Sequence, residues 1–192
     1  MRKVIVNEFL TLDGTAQAPG GPDEDTSGGF QHGGWHMQYG SGSGVTKLIG
    51  EAGGFLLGRR TYDIFAGYWP NAPEDVQEIA EPMNTKPKHV ASRTLTDPLE
   101  WQNSSVLPGT VPDAVAALKD EAGGDLLVLG STVLVQSLIQ HDLVDEFRLL
   151  INPVLVGAGK RIFPDDGPLR PLRLVDHEVT ATGSIIATYA PA

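Results

Sequence analysis

The chain has 192 residues, 41% of them apolar, with no cysteine and a formal net charge of −10 at pH 7. This length and composition favour one globular domain spanning residues 1–192. The negative charge argues against a nucleic-acid partner, because a phosphate backbone needs a basic face. The apolar runs are far shorter than the roughly 20 residues that cross a membrane. Without cysteine there is no disulfide framework and no thiolate metal site, so we expect a cytoplasmic protein.

Two sequence periodicities predict the secondary structure in chain order. Apolar and β-branched runs predict strands over residues 2–11, 55–57, 87–91, 106–107, 126–129 and 146–154, then a hairpin of strands 172–180 and 183–189. Amphipathic spacing predicts short helices over residues 45–52, 61–65, 74–84, 113–121 and 133–140. Strands alternating with helices predict a three-layer α/β fold: a mostly parallel central sheet, helices on both faces and an antiparallel C-terminal hairpin.

Residues 18–44 are rich in glycine and also carry His32, Trp35, His36 and Tyr39. A long segment without regular structure is usually functional or disordered. The aromatic side chains favour a loop that packs over the body of the protein, and an open insertion is the alternative. His32 and His36 have the spacing of a helical metal pair, but the glycines disfavour a helix and no third ligand is evident. We therefore expect no metal.

The segment 55–62 predicts an anion-binding turn. Apolar residues end a buried strand, Gly58 turns the chain, and Arg59, Arg60 and Thr61 open the next helix, with Thr61 as a candidate cap. Helix N-termini present unpaired N–H groups and partial positive charge, and guanidinium groups bind phosphate in bidentate fashion. The alternative is an ordinary strand–helix junction with two solvated arginines.

A second turn of the same kind follows the strand at 126–129. Its residues are Gly130, Ser131, Thr132, Val133 and Leu134. In an open α/β sheet both turns should face one crevice at the carboxyl ends of the strands, where two helix N-termini suit a pyrophosphate. A third strand end adds Ser92 and Arg93, which suit a terminal phosphate such as the 2′-phosphate of NADP. Gly-Ser-Thr before a helix is also ordinary capping chemistry.

The order of these motifs resembles the dihydrofolate reductase-like proteins, which include the reductase domain of bifunctional riboflavin-biosynthesis deaminase-reductases. The segments that carry the resemblance are 7–14 (NEFLTLDG), 57–62 (LGRRTY), 91–93 (ASR), 129–132 (LGST), 143–146 (LVDE) and 153–159 (PVLVGAG). The resemblance spans nearly the whole chain. It implies a dihydrofolate reductase-like α/β/α fold, NADPH as cofactor and a homodimer.

The resemblance also implies roles for individual residues. Gly58, Arg59 and Thr61 would hold phosphates, Ser92 and Arg93 the adenosine 2′-phosphate, and residues 130–134 the pyrophosphate. Two departures from the family pattern matter. Ser131 stands where the family usually has a second glycine, and the first helix lacks a clear counterpart of the carboxylate that orients folate. The second departure argues against folate as the substrate.

The candidate substrate groups are one carboxylate and several aromatic side chains. Asp13, at the end of the first strand, could bind a heterocycle N–H or relay a proton, and its alternative role is a turn carboxylate that bonds its own backbone. A flat substrate could stack on Trp35, Tyr39, Tyr68 or Trp69, although Trp69 before Pro70 is equally suited to filling the core.

The sequence therefore predicts an NADPH-dependent reductase that transfers hydride to a small heterocyclic or carbonyl substrate, similar to a pterin or pyrimidine. Two alternatives stay open. One is a non-catalytic NADP(H)-binding sensor or scaffold, which the missing family carboxylate would explain. The other is a phosphate-ester or phosphosugar enzyme that uses the same anion-binding turns.

Overall fold

The computed structural model describes residues 1–40 and 43–192, so residues 41–42 of the predicted loop lie outside the described residues. The strands are β1 (Val4–Thr11), β2 (Gly54–Gly58), β3 (Lys88–Ala91), β4 (Ser104–Val106), β5 (Leu126–Leu129), β6 (Glu146–Asn152), β7 (Leu172–Val179) and β8 (Ile185–Pro191). The α-helices are α1 (Ser43–Glu51), α2 (Arg59–Tyr68), α3 (Gln77–Thr85), α4 (Val111–Asp120) and α5 (Thr132–Gln140).

All eight strands join one sheet in the order β4-β3-β2-β5-β1-β6-β8-β7. The pairings from β4 through β6 are parallel, whereas β8 runs antiparallel to β6 and β7 antiparallel to β8. Parallel strands need crossover connections, and the helices between them cover the sheet. This architecture confirms the predicted mostly parallel sheet with an antiparallel C-terminal hairpin.

Alternate side chains of β1 enter two different cores, one on each face of the sheet. Val6 and Leu10 pack in a cluster with Val135 and Leu138 of α5, whereas Ile5 belongs to the cluster on the opposite face. That second cluster takes side chains from α1, α2 and α3. A strand buried on both faces needs apolar residues in both phases, which explains the continuous apolar run at the start of β1.

Several element boundaries differ from the predicted ones, and two of the differences have a clear local reason. Helix α2 begins at Arg59, directly after β2, so Gly58 is its N-cap and Thr61 lies inside the first turn instead of capping it. Strand β6 ends at Asn152, two residues earlier than predicted. Pro153 follows immediately and has no N–H with which to continue the ladder.

The described part of the loop 18–44 packs against the sheet, as its aromatic side chains led us to expect. Trp35 is buried beside Phe30, and its indole N–H donates to the carbonyl of Gln17 at 2.8 Å. The ring of His36 stacks on Phe9 of β1 with a centroid distance of 4.0 Å. The loop therefore covers the carboxyl end of β1.

Within residues 1–40 and 43–192, no helix is long and apolar enough to cross a bilayer. In the same ranges, no group of three or more His, Asp or Glu side chains could hold a metal ion.

Candidate functional site

The turns at Gly58 and Gly130 lie together at one edge of the sheet. Strands β2 and β5 are parallel neighbours, with Leu56 opposite Val128, so both end at this edge. The backbone N–H of Gly58 donates to Ser131 Oγ at 2.9 Å. A Cβ at Gly130 would lie 3.4 Å from Thr61 Oγ1. The two turns are therefore in direct contact, with little room between their backbones.

Two helix N-termini open at this edge. Gly58 caps α2 and Ser131 caps α5, and neither cap makes a side-chain hydrogen bond to its own helix. The first-turn N–H groups thus receive no side-chain oxygen from the cap, and the helix dipoles add partial positive charge. Leu134 is buried, so it can offer a ligand only its backbone, whereas the Val133 side chain is exposed. Together these features suit a bound anion.

Gly130 and Ser131 both have left-handed backbone conformations, with φ of +57° and +65°. A non-glycine residue pays about 1–2 kcal/mol for this conformation. The Ser131 hydroxyl offsets part of that cost, because it accepts from the Gly58 N–H and donates to the Leu129 carbonyl at 3.2 Å. These bonds explain how serine is accommodated at a position where the resemblance predicts glycine.

Arg59 joins the end of β2 to the turn that follows β3. Its Nε pairs with Asp63 Oδ2 at 2.8 Å, and its Nη1 donates to Thr94 Oγ1 at 2.7 Å. The Ser92 hydroxyl accepts from the backbone N–H groups of Thr94 and Leu95 and so organises that turn. The turn also carries the exposed Arg93. The structure thus brings the residues predicted for the 2′-phosphate to the same edge as the two glycine turns.

Arg60 contacts the covering loop. Its Nη2 lies 3.0 Å from Asp25 Oδ1, and Asp25 Oδ2 accepts from Lys160 Nζ at 2.6 Å. Burial acts to raise the pKa of Asp25, but hydrogen bonds from Lys160 and Ser27 outweigh it and lower that pKa. Asp25 is therefore ionised, and its ion pair with Arg60 links the loop to the start of α2. The predicted role of Arg60 in cofactor binding stays a prediction, and a phosphate would have to compete with Asp25 for its guanidinium.

Asp13 accepts three hydrogen bonds at the end of β1. The donors are the Thr11 hydroxyl at 2.5 Å, the Gly157 N–H at 2.7 Å and the Val156 N–H at 3.3 Å. The Thr11 bond, followed by the backbone bonds, lowers the pKa of Asp13. At neutral pH this carboxylate is therefore ionised, and it can accept a proton but has none to donate. Its catalytic role stays a prediction.

The aromatic side chains predicted to bind substrate lie in two pairs on different elements. Trp35 is buried, and Tyr39 lies near Pro153, whose carbonyl is 3.5 Å from its hydroxyl. Tyr68 and Trp69 meet at the C-terminal end of α2 with a centroid distance of 5.0 Å. The Trp69 indole N–H is buried and has no hydrogen-bond partner among the described residues. No ring contact joins the two pairs within the described residues, and Trp69 packs against the apolar core. The assignment of these four side chains to substrate binding stays a prediction.

Two charged side chains of the central strands were missed from the sequence. Glu8 of β1 is 3% exposed, and its Oε1 is buried without a hydrogen-bond partner in the part of the chain that the structure describes. Burial, and then the nearby charge of Glu24, raises the pKa of Glu8 well above its usual range. The Nε of Arg148 in β6 is likewise buried and without a partner in those residues. The available signal was a charged residue inside a strand that is otherwise apolar.

The sheet topology and the joined turns define a class of protein, the dihydrofolate reductase-like α/β fold. The sequence profile described as the RibD C-terminal domain matches residues 2–187. The chain belongs to the RibD C-terminal domain family, which confirms the resemblance seen in its motifs.

Individual relatives agree with this assignment. YyaP, an uncharacterized protein of Bacillus subtilis (strain 168), is 28% identical over 191 residues, which cover 98% of this chain and 94% of YyaP. A Shewanella sp. PV-4 protein named for riboflavin biosynthesis superimposes with a TM-score of 0.72 at 21% identity, covering 99% of both chains. Dihydrofolate reductase from Enterococcus faecalis, solved with NADP(H) and RAB-propyl, gives a TM-score of 0.61 at 12% identity, covering 98% of this chain and 96% of that one. At such identities the two solved structures show a shared fold.

Proposed function

We propose that this protein is an NADPH-dependent reductase that transfers hydride to a small heterocyclic or carbonyl substrate. The observation that carries the proposal is the contact between the Gly58 and Gly130 turns, which brings two helix N-termini without side-chain caps to one edge. A pyrophosphate fits such an edge because backbone N–H groups can approach it closely only where side chains are small. The family and the NADP(H) complex of the Enterococcus faecalis enzyme support the choice of cofactor.

The chain's own residues supply binding and orientation. The turn residues 58–61 and 130–134 would hold the pyrophosphate through backbone N–H groups and hydroxyls. Arg59 would hold a phosphate, and Ser92 and Arg93 would hold the 2′-phosphate, where the Arg93 guanidinium favours NADPH over NADH. Bound NADPH would supply the hydride, and the covering loop would keep water from the site. A small flat substrate would lie beyond the end of β1, beside the loop 18–44.

Two further features belong to this proposal. We propose one domain over residues 1–192, since strands from both ends of the chain join a single sheet.

We also propose a homodimer that uses β7, because this edge strand exposes Leu174, Val175 and Val179. An exposed apolar edge strand invites pairing with a second copy. Light scattering coupled to gel filtration gives the mass, and a monomer at micromolar concentration would contradict the second point.

The cofactor assignment is tested by titrating the protein with NADPH and NADH. Arg59→Ala and Arg93→Ala should each weaken NADPH binding by roughly 1.5–3 kcal/mol, the value of one charge-assisted contact. Arg93→Ala should also reduce the preference for NADPH over NADH. The matched control is Arg173→Ala on the exposed strand β7, which should leave both affinities unchanged. If wild-type protein forms no complex with NADPH, the reductase assignment is wrong.

The alternative of a non-catalytic sensor is tested by turnover. NADPH oxidation is followed with a panel of heterocyclic and carbonyl acceptors, and tight binding without oxidation across the panel would favour the sensor. A thermal-shift panel tests the phosphate-ester alternative, which predicts no preference for NADPH over simple phosphate esters.

Asp13→Asn should lower turnover and leave NADPH affinity intact if Asp13 takes part in proton transfer, and equal turnover would remove it from the mechanism.

A further inference from the structure

Arg148 lies close to the proposed cofactor site, in the neighbouring half of the sheet. In the register of the central strands, Arg148 of β6 is opposite Asn7 of β1, and Asn7 is opposite Leu129 of β5. Leu129 directly precedes the Gly130 turn. Because neighbouring strands are about 4.8 Å apart, Arg148 is about 10 Å from β5, at the level where the glycine turn begins.

The side chain of Arg148 points to the face of the sheet that α1 covers. Phe147 and Leu149 pack in the cluster formed with α4 and α5, so Arg148, between them, points the other way. A Cβ at Gly44, in the first turn of α1, would overlap Nη2 of Arg148. Glycine at position 44 therefore leaves room for the guanidinium beneath the helix.

The guanidinium of Arg148 has no counter-ion within residues 1–40 and 43–192. Its Nε is buried without a hydrogen-bond partner, and no salt bridge between described residues includes Arg148. The first turn of α1 contains no acidic residue. A buried N–H left unpaired is costly, so each such group in a native protein calls for an explanation, and a ligand that pairs with it is one.

The neighbouring groups on this face are neutral. Asn7 is 4% exposed and lies beside Arg148, and Phe9 is one step further along the same face. His36 stacks on Phe9. Burial lowers the pKa of His36, although a hydrogen bond with Asn152 acts in the opposite direction. Among these neighbours the guanidinium is thus the charged group, beside an aromatic ring and a buried amide.

We propose that Arg148 is a substrate-binding residue and that the substrate presents a planar oxyanion to it, a carboxylate or the acidic O–C–N edge of a heterocycle. This rests on the proposed function, since it names the class of hydride acceptor. A guanidinium donates two parallel hydrogen bonds to such an edge. Compounds whose amino groups need a carboxylate partner, such as 2,4-diaminopyrimidines, are disfavoured because Arg148 places a positive charge where they need a negative one.

The test uses two small probes of the same shape, pyrimidine-4-carboxylate and pyrimidine-4-carboxamide. Calorimetric titration of the full chain, with and without saturating NADPH, measures their affinities. Wild-type protein should bind the carboxylate at least about tenfold more tightly than the amide, as expected for charge-assisted bonds. Arg148→Met should remove this difference, and Arg148→Lys should keep part of it. Equal affinities in wild-type protein, or no binding of either probe in the millimolar range, would overturn the proposal.

Thermal denaturation separates ligand binding from a structural role. Because the guanidinium has no partner in the described residues, Arg148→Met should leave the melting temperature unchanged or raise it. A marked fall in melting temperature would assign Arg148 to the fold and overturn the proposal. Arg161→Met is the matched control for the loss of a positive charge, because Arg161 is exposed and has no ion pair among the described residues. NADPH affinity is measured separately for every variant, so wild-type protein that binds the carboxylate but no NADPH would contradict only the reductase assignment.

Discussion

Two regions of the sheet differ in how particular polar side chains are paired. At the ends of β2, β3 and β5, here called the nucleotide edge after the cofactor proposed for it, the Ser131 hydroxyl and the Arg59 guanidinium already have partners within the protein. Strands β1 and β6 instead hold Glu8 and Arg148, each with a buried polar atom that has no partner in the described residues. Satisfied polar groups stabilise a fold, whereas unpaired ones reduce stability and are retained where they contact something else. The nucleotide edge is therefore preorganised, and the β1–β6 half is the place to look for specificity.

The largest effect expected from this difference concerns Lys88, a buried charge of β3 with a full set of partners. Its ammonium donates to the carbonyls of Met83, Asn84 and Lys86 at 2.8, 3.2 and 2.9 Å and lies 4.4 Å from the centre of the Trp101 ring. Lys88→Met would remove the donor that these three carbonyls share, and we expect a loss of about 3 kcal/mol in the free energy of unfolding. Urea denaturation measures it. Lys47→Met, on the exposed face of α1, is the control and should change little.

The same lysine gives a pH signature. Burial lowers the pKa of Lys88 to about 8, whereas the unfolded chain keeps its ordinary value of about 10.5. Between these values the unfolded state binds more protons than the folded state, so this group makes stability rise with pH across that window. Lys88→Met should abolish that rise. A mutant with the same slope as wild-type protein between pH 8 and pH 10 would show that Lys88 is not buried as described.

The sequence predicted the nucleotide edge better than the β1–β6 half, for a physical reason. Gly58 and Gly130 each follow a buried strand, and parallel strands end at the same edge, so local patterns were enough to place them together. The ion pair between Arg60 and Asp25, by contrast, depends on how the loop folds back over α2. The burial of Glu8 depends on what packs against its face of the strand. Local periodicity carries neither kind of information.

The next prediction tests whether NADPH binding at the nucleotide edge needs a residue without a side chain at position 130. Gly130→Ala would place a methyl group about 3.4 Å from Thr61 Oγ1, in the narrow gap between the turns. We expect NADPH affinity to fall by roughly 1–2 kcal/mol, together with about 1 kcal/mol of stability from the left-handed conformation. Gly109→Ala is the matched control, because Gly109 also has a positive φ of +67° but nothing within 4 Å of its Cβ position. The control should lose similar stability and bind NADPH normally, and equal NADPH affinities in both variants would contradict the role of Gly130.

The smallest effect concerns Glu8. Its contribution to stability falls with rising pH, whereas that of Lys88 rises. Since burial raises the pKa of Glu8, the folded state keeps a proton that the unfolded state releases as pH rises above about 4.5. Folded protein then binds more protons than unfolded protein, so this group lowers stability with rising pH until its own folded pKa is passed. Glu8→Gln, which resembles the protonated acid, should be more stable than wild-type protein at pH 8 by roughly 1 kcal/mol and nearly equal to it at about pH 4, below the unfolded pKa. Glu178→Gln on the exposed strand β7 should show no such difference between the two pH values. If Glu8→Gln is instead less stable at pH 8, the carboxylate has a partner in the folded protein, and the contrast between the two halves no longer holds for β1.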